Sequence, residues 1–135
     1  MVSIEKNITS VKQRIEQAAV QAGRDPNSIK LLAVSKTRPI NDIQVAYKAG
    51  LNALGENYVQ EATDKIKSLE TLGAEWHFIG PLQSNKTRPV TEHFDWVHSV
   101  DRIKIAKRLS EQRPEHLPPL NICLQINIDA EPSKS

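Results

Sequence analysis

The sequence predicts an α/β fold in which a parallel sheet curls into a (β/α) barrel, and two observations lead there. Helical periodicity alternates with short apolar runs along the chain, the βαβ rhythm of a parallel sheet. The last of these runs is apolar on one side only: Ile122, Leu124, Ile126 and Ile128 alternate with Asn121, Cys123, Gln125 and Asn127. A doubly wound sheet has helices on both faces and wants both sets apolar. A barrel packs the apolar set on its outer helices and turns the polar set toward a lumen. Residues 1–135 read as a single domain, with neither a linker nor a low-complexity segment.

The elements follow in order. Ile4, Ile8, Val11, Ile15, Ala18 and Ala22 recur at spacings of three and four, one face of an opening helix that Gly23 and Pro26 stop. Lys30–Lys36 is a buried apolar strand. Pro39 opens a second helix with Ile40, Ile43, Ala46 and Tyr47 on one face and Gly50 as its cap. A brief strand over Asn52–Gly55 leads to a third helix carrying Val59, Ala62, Ile66 and Leu69 and ending at Gly73. Glu75–Gly80 is the next strand, followed by a polar loop through Asn85 and Lys86 and a short helix before Pro89. Phe94–Val100 is a fourth strand, and Asp101 is placed to cap a helix containing Ile103, Ala106 and Leu109. Pro114, Pro118 and Pro119 break that helix, and Leu120–Ile128 is the fifth strand.

Composition excludes several function classes. No run approaches the roughly 18 apolar residues of a membrane span, and charges at Glu5 and Lys6 stand where a signal peptide needs an apolar core. Cys123 is the only cysteine, which rules out an internal disulfide and a cysteine-rich zinc site and suits a reducing, cytoplasmic setting. The net charge of +2 is too small to mark a nucleic-acid binder, and no aromatic ladder interleaves Lys86, Arg88 and Lys104. His77, His93, His98 and His116 show no metal-ligand spacing. No Gly-x-Gly-x-x-Gly or Walker A sequence is present.

In a barrel of this kind the active site lies at the carboxyl ends of the strands. The residues expected there are Lys36, Glu56, Asn57, Gly80, Pro81, Ser99, Asp101, Asn127 and Asp129. Lys36 leads this set. Burial at a strand end favours a neutral amine, and a neutral amine is a nucleophile toward an aldehyde, which points to Schiff-base chemistry with pyridoxal phosphate. The competing reading is a lysine just past the strand with its ammonium in solvent. Glu56, Glu61 and Asp101 could supply a general base, although charge pairing and capping account for them. Cys123 belongs to the lumen-facing set, where it could touch a ligand, although filling space as a small buried residue accounts for it. Lys134, between two serines, could meet a phosphate or an aldehyde, or lie in a disordered end.

Three segments carry a family resemblance: Ala33-Val34-Ser35-Lys36-Thr37, Gly55-Glu56-Asn57-Tyr58-Val59-Gln60-Glu61, and Trp76-His77-Phe78-Ile79-Gly80-Pro81-Leu82-Gln83-Ser84-Asn85-Lys86. Together they resemble the pyridoxal phosphate homeostasis protein family, and the likeness runs from the first helix to Ser135. It implies the barrel of the alanine racemase N-terminal domain, fold type III among pyridoxal phosphate proteins, without the racemase's second domain. It implies pyridoxal 5′-phosphate as cofactor, held as a Schiff base on Lys36, with Asn57 beside it as a hydrogen-bonding residue and His77 and Gly80 lining the pocket. No catalytic residue and no metal are implied. The expected role is intracellular vitamin B6 homeostasis as a carrier or buffer without turnover, with pyridoxal-phosphate-dependent apo-enzymes as recipients and neither nucleic acid nor membrane as partner. The rival reading is a pyridoxal-phosphate-dependent amino-acid racemase or decarboxylase using the same lysine; racemisation needs an acid–base group on each ring face, and Tyr58 is no convincing second one. An eight-stranded barrel takes about 250 residues and places its phosphate site after strands seven and eight. Five units are readable here, so the chain is expected to be the first part of a family member, with two open sheet edges and weakened cofactor binding.

Overall fold

The computed structural model describes residues 3–129. Its strands are β1 (Ala33–Val34), β2 (Ala53–Glu56), β3 (Glu75–Phe78), β4 (Trp96–Val100) and β5 (Asn121–Leu124), all parallel in one sheet of order β1-β2-β3-β4-β5. Its helices are α1 (Ile4–Gln21), α2 (Ile40–Lys48), α3 (Val59–Ser68), α4 (Thr87–His93) and α5 (Ile103–Gln112), with single 3-10 turns at Pro26–Ser28 and Ser84–Lys86. Each strand lies beside its successor, so the chain advances in one direction across the sheet. That singly wound order belongs to a barrel wall; a doubly wound sheet reverses at a switch point.

Register sorts the side chains onto two faces. Leu54 pairs with Trp76, and Glu56, Phe78, Val97 and Ile122 form a row across β2 to β5. This is the outer face, where Leu54, Trp76, Phe78 and Val97 join Ile43 of α2, Ala62 and Ile66 of α3, Val90 of α4 and Ile105 and Leu109 of α5 in one buried core. Phe78 and Phe94 meet edge to face at 5.4 Å in its centre. The opposite row is Val34, Gly55, His77, Trp96 and Asn121, the inner face. Between Val97 and Val100 the strand β4 spends three residues where β5 spends two, from Ile122 to Leu124, which is a bulge with one extra residue.

Gly23 and Gly50 stand just past α1 and α2 at φ of 70° and 98°, the left-handed position that ends a helix cheaply only for glycine. The third helix stops earlier than Gly73, at Ser68, and Gly73 lies in the turn beyond. Pro89 falls inside α4 as its third residue, where no intrahelical N–H is lost. Arg102, not Asp101, is the N-cap residue of α5 and makes no side-chain cap; Asp101 pairs with Arg102 at 3.5 Å.

The edges of the sheet depart most from the sequence reading. β1 keeps two residues of the expected Lys30–Lys36, and β5 four of Leu120–Ile128. The parity of β5 is as expected, with Ile122 in the core row and Asn121 in the inner row. Its apolar set is nevertheless uncovered: Leu124, Ile126 and Ile128 are 72%, 75% and 87% exposed, since no helix follows β5 among the described residues. Of the expected stripe of α1 only Ile8 is buried, with Ile4 and Ile15 half-buried and Val11, Ala18 and Ala22 exposed.

Candidate functional site

The carboxyl ends of β1, β2 and β3 bring together three of the four expected site residues. Ser35 extends the ladder past β1 by donating its N–H to the Gly55 carbonyl at 2.9 Å, and its side chain turns outward to Glu56. Alternation then places Lys36 on the inner face, one pleat above Val34. Lys36 is exposed, so the expectation of a lysine closing a buried strand is corrected: β1 is a short edge strand, and the amine stands past its end.

Asn57 follows β2 on the same face. Its side-chain oxygen is buried and has no hydrogen-bond partner among the described residues. Gly80 stands behind it, and a Cβ there would lie 2.5 Å from the Asn57 carbonyl oxygen and 2.9 Å from its Cα, so only glycine lets the two loops touch. Ser99 Oγ, in the bulge of β4, is also buried and without a partner among the described residues.

His77 lies one layer lower, in the row of Gly55 and Trp96, and is 4% exposed. Its ring stacks on Trp96 with centroids 5.5 Å apart and planes 5° from parallel. Nε2 is 2.6 Å from Glu75 and Nδ1 is 2.8 Å from His98 Nε2. Glu75 accepts from Lys30 as well, and although burial raises its pKa, these two partners bring it below the ordinary value. An ionised Glu75 only accepts, so Nε2 of His77 carries the proton, its Nδ1 accepts, and His98 Nε2–H donates. Burial lowers the pKa of both histidines, against the pull of Glu75 on His77 and with the help of His77 on His98. His77 thus forms a fixed, neutral aromatic floor with both nitrogens engaged.

The carboxylates weighed as general bases are paired instead. Lys65 of α3, 6% exposed, donates to Ser35 O at 2.8 Å, to Glu56 at 3.1 Å and lies 2.7 Å from Glu61. The bond from Lys65 is the main reason the Glu61 pKa is lowered, and the Thr37 N–H adds to it. Lys65 was not singled out in the sequence, yet one signal was there: it interrupts the buried side of α3 between Ala62 and Ile66, four residues after Glu61. Cys123 is half-buried on the inner side of β5, and Asn127 and Asp129 are exposed beyond it. Lys134 lies outside the described residues. Among the described residues no group of three or more His, Cys, Asp or Glu is arranged to hold a metal ion, and no helix is long and apolar enough to cross a membrane.

An accessible amine, a buried oxygen without a donor and an aromatic floor below them suit a planar ring that carries an aldehyde and a hydroxyl. Comparison with known proteins agrees in kind. The model of the alanine racemase N-terminal domain matches residues 3–131. The chain is 61% identical over 135 residues to a pyridoxal phosphate homeostasis protein of Pseudomonas aeruginosa, covering 100% of this chain and 59% of that protein. It thus spans less than two thirds of the length of the curated relative. PipY of Synechococcus elongatus without PLP superposes with a TM-score of 0.76 at 43% identity, over 90% of this chain and 57% of that one. PipY with PLP bound superposes with a TM-score of 0.62 at 46% identity, over 73% of this chain and 47% of that one.

Proposed function

Because the chain belongs to the alanine racemase N-terminal domain family and its relatives there are pyridoxal phosphate homeostasis proteins, we propose that it holds pyridoxal 5′-phosphate on Lys36 and serves the homeostasis of that cofactor in the cytoplasm as a carrier or buffer. The observation that carries the reading is the placement of an exposed Lys36 and the unpartnered Asn57 oxygen on one face at the carboxyl ends of neighbouring strands. Bound pyridoxal 5′-phosphate supplies an aldehyde that joins amines reversibly.

The chain's own residues divide the work. Lys36 Nζ is the nucleophile toward the aldehyde carbon, with loss of water as the Schiff base forms. Asn57 offers its buried oxygen to a ring hydroxyl, and Gly80 keeps Asn57 in place. His77, neutral and tied to Glu75 and His98, supplies a wall that neither gives nor takes the proton. An exposed Lys36 also leaves the linkage open to attack by a second amine, which suits handing cofactor to a recipient apo-enzyme and does not require turnover.

Mass spectrometry after incubation with pyridoxal 5′-phosphate and borohydride reduction tests this. One phosphopyridoxyl group on the Lys36 peptide is expected, and its absence from Lys36→Ala. Label spread evenly over surface lysines would refute the reading. D-amino acid accumulating at a catalytic rate from single L-amino acids, read by chiral chromatography, would replace the carrier with a racemase.

A further inference from the structure

We propose that Lys65 is a positioning residue for Lys36: with Glu61 it clamps the two peptide planes on either side of Lys36 from the helix side of the sheet. The inference rests on the reading of Lys36 as the cofactor lysine, but the contacts that carry it belong wholly to this chain.

A lysine buried to 6% exposure is costly unless every N–H finds an acceptor. Lys65 Nζ has three such bonds to give and three acceptor groups around it: the Ser35 carbonyl at 2.8 Å, Glu56 at 3.1 Å and Glu61 at 2.7 Å. The two carboxylates then reach the segment around Lys36. Glu56, fully buried, accepts from the Ser35 hydroxyl. Glu61 accepts the Thr37 N–H at 2.6 Å.

The consequence is geometric. The Ser35 carbonyl belongs to the peptide plane that enters Lys36, and the Thr37 N–H to the plane that leaves it. Fixing both planes fixes φ and ψ of Lys36, and with them the direction of its Cα–Cβ bond. Thr37 itself sits at φ 62°, which a β-branched residue adopts only under constraint, and its hydroxyl donates back to the Lys36 carbonyl at 2.6 Å. The strained turn and the buried ammonium are thus two halves of one device. A hydrophobic residue at position 65 would fill the same space without the desolvation cost. It would leave the Ser35 carbonyl without that donor and both carboxylates without their shared cation.

The test uses three variants. Glu61→Ala removes one anchor at a side chain that is 31% exposed, so the fold is retained. Glu61→Gln keeps an acceptor for the Thr37 N–H. The double variant Lys65→Met with Glu56→Gln removes the ammonium without stranding a buried charge. Two quantities are read: exchange of the Thr37 amide in the cofactor-free protein, and the rate at which Lys36 is labelled by pyridoxal 5′-phosphate and cyanoborohydride, with exposed Lys48 as internal reference. In the labelling, the amine adds to the aldehyde, water leaves, and the reductant delivers hydride to the C=N carbon while solvent protonates nitrogen.

Faster Thr37 exchange and at least about tenfold slower labelling of Lys36 relative to Lys48 are expected in Glu61→Ala and in the double variant. Glu61→Gln is expected to lie within about twofold of wild type. Unchanged Lys36 labelling in both disabling variants would overturn the positioning role, whatever the exchange shows. Wild-type protein that labels Lys36 no faster than Lys48 would instead overturn the cofactor reading, and the positioning proposal with it.

Discussion

At the scale of single residues, the chemistry was legible where a type and a position coincided, and illegible where a contact decided. Lys36 and Asn57 stand on the inner face at the strand ends because alternation and turn positions can be read from sequence. The clamp around them could not be read, since Glu56, Glu61 and Lys65 become one network only when α3 docks on β2. His77 shows the same limit: its sequence offers an imidazole, and only folding ties it to Glu75 and His98. That tie has a pH signature. Both histidines have folded pKa values below their ordinary 6.5, so the unfolded chain takes up protons that the native one refuses. Stability is therefore full above about pH 6.5 and falls as pH drops through the lowered folded values. The urea midpoint at pH 5 should lie below that at pH 7.5, and His77→Phe with His98→Phe should flatten the slope; an equal slope in the double variant would assign it elsewhere. Glu61, held below its ordinary 4.5, contributes stability present above that value and lost only in stronger acid.

At the scale of elements, periodicity placed four of the five helices, α4 running through the Pro89 expected to end it, and all five strands, whose errors cluster at ends. The termini of β1 and β5 were overextended because apolar alternation marks where a strand could pair, and pairing needs a neighbour on each side. Asp101 is expected as a cap because aspartate is a good one, but α5 starts at Ile103, so Arg102 occupies the cap position. The contact of Gly80 with Asn57 makes a sharp prediction at this scale. Gly80→Ala should cost about 1–3 kcal/mol, since backbone must move to admit the methyl group, and it should slow Lys36 labelling through the displaced Asn57. Free accommodation, seen as an unchanged melting midpoint and unchanged labelling, would contradict the touching loops. Phe78→Ala, at the centre of the core, should cost about 3–5 kcal/mol in urea denaturation while leaving the inner face chemically intact.

At the scale of the whole molecule, the one-sided alternation of the last strand was enough to choose a barrel wall over a doubly wound sheet, because the two differ in what their inner face must be. What it could not supply was coverage. The outer row is sealed from Leu54 to Val100 and open at Leu124, Ile126 and Ile128. Protection should follow that gradient. Amide exchange is expected to be slowest at Leu54–Glu56 and Trp76–Phe78, flanked on both sides, and fastest among strand residues at Ile122–Leu124. Mapping by exchange and mass spectrometry would contradict the arrangement if β5 proved as protected as β3.

The extra residue in β4 reaches further than a local kink. A pleated strand has a reading frame of two, and the bulge between Val97 and Val100 shifts it. Below the shift Trp96 and His98 read inward; above it Val100 reads outward into the core, where it is 2% exposed. Were the frame unbroken, a valine would stand over the lumen. The bulge thus absorbs one residue so that a single strand keeps an aromatic floor inside and Val100 in the core, and a one-residue deletion there would straighten the strand with Val100 still outward.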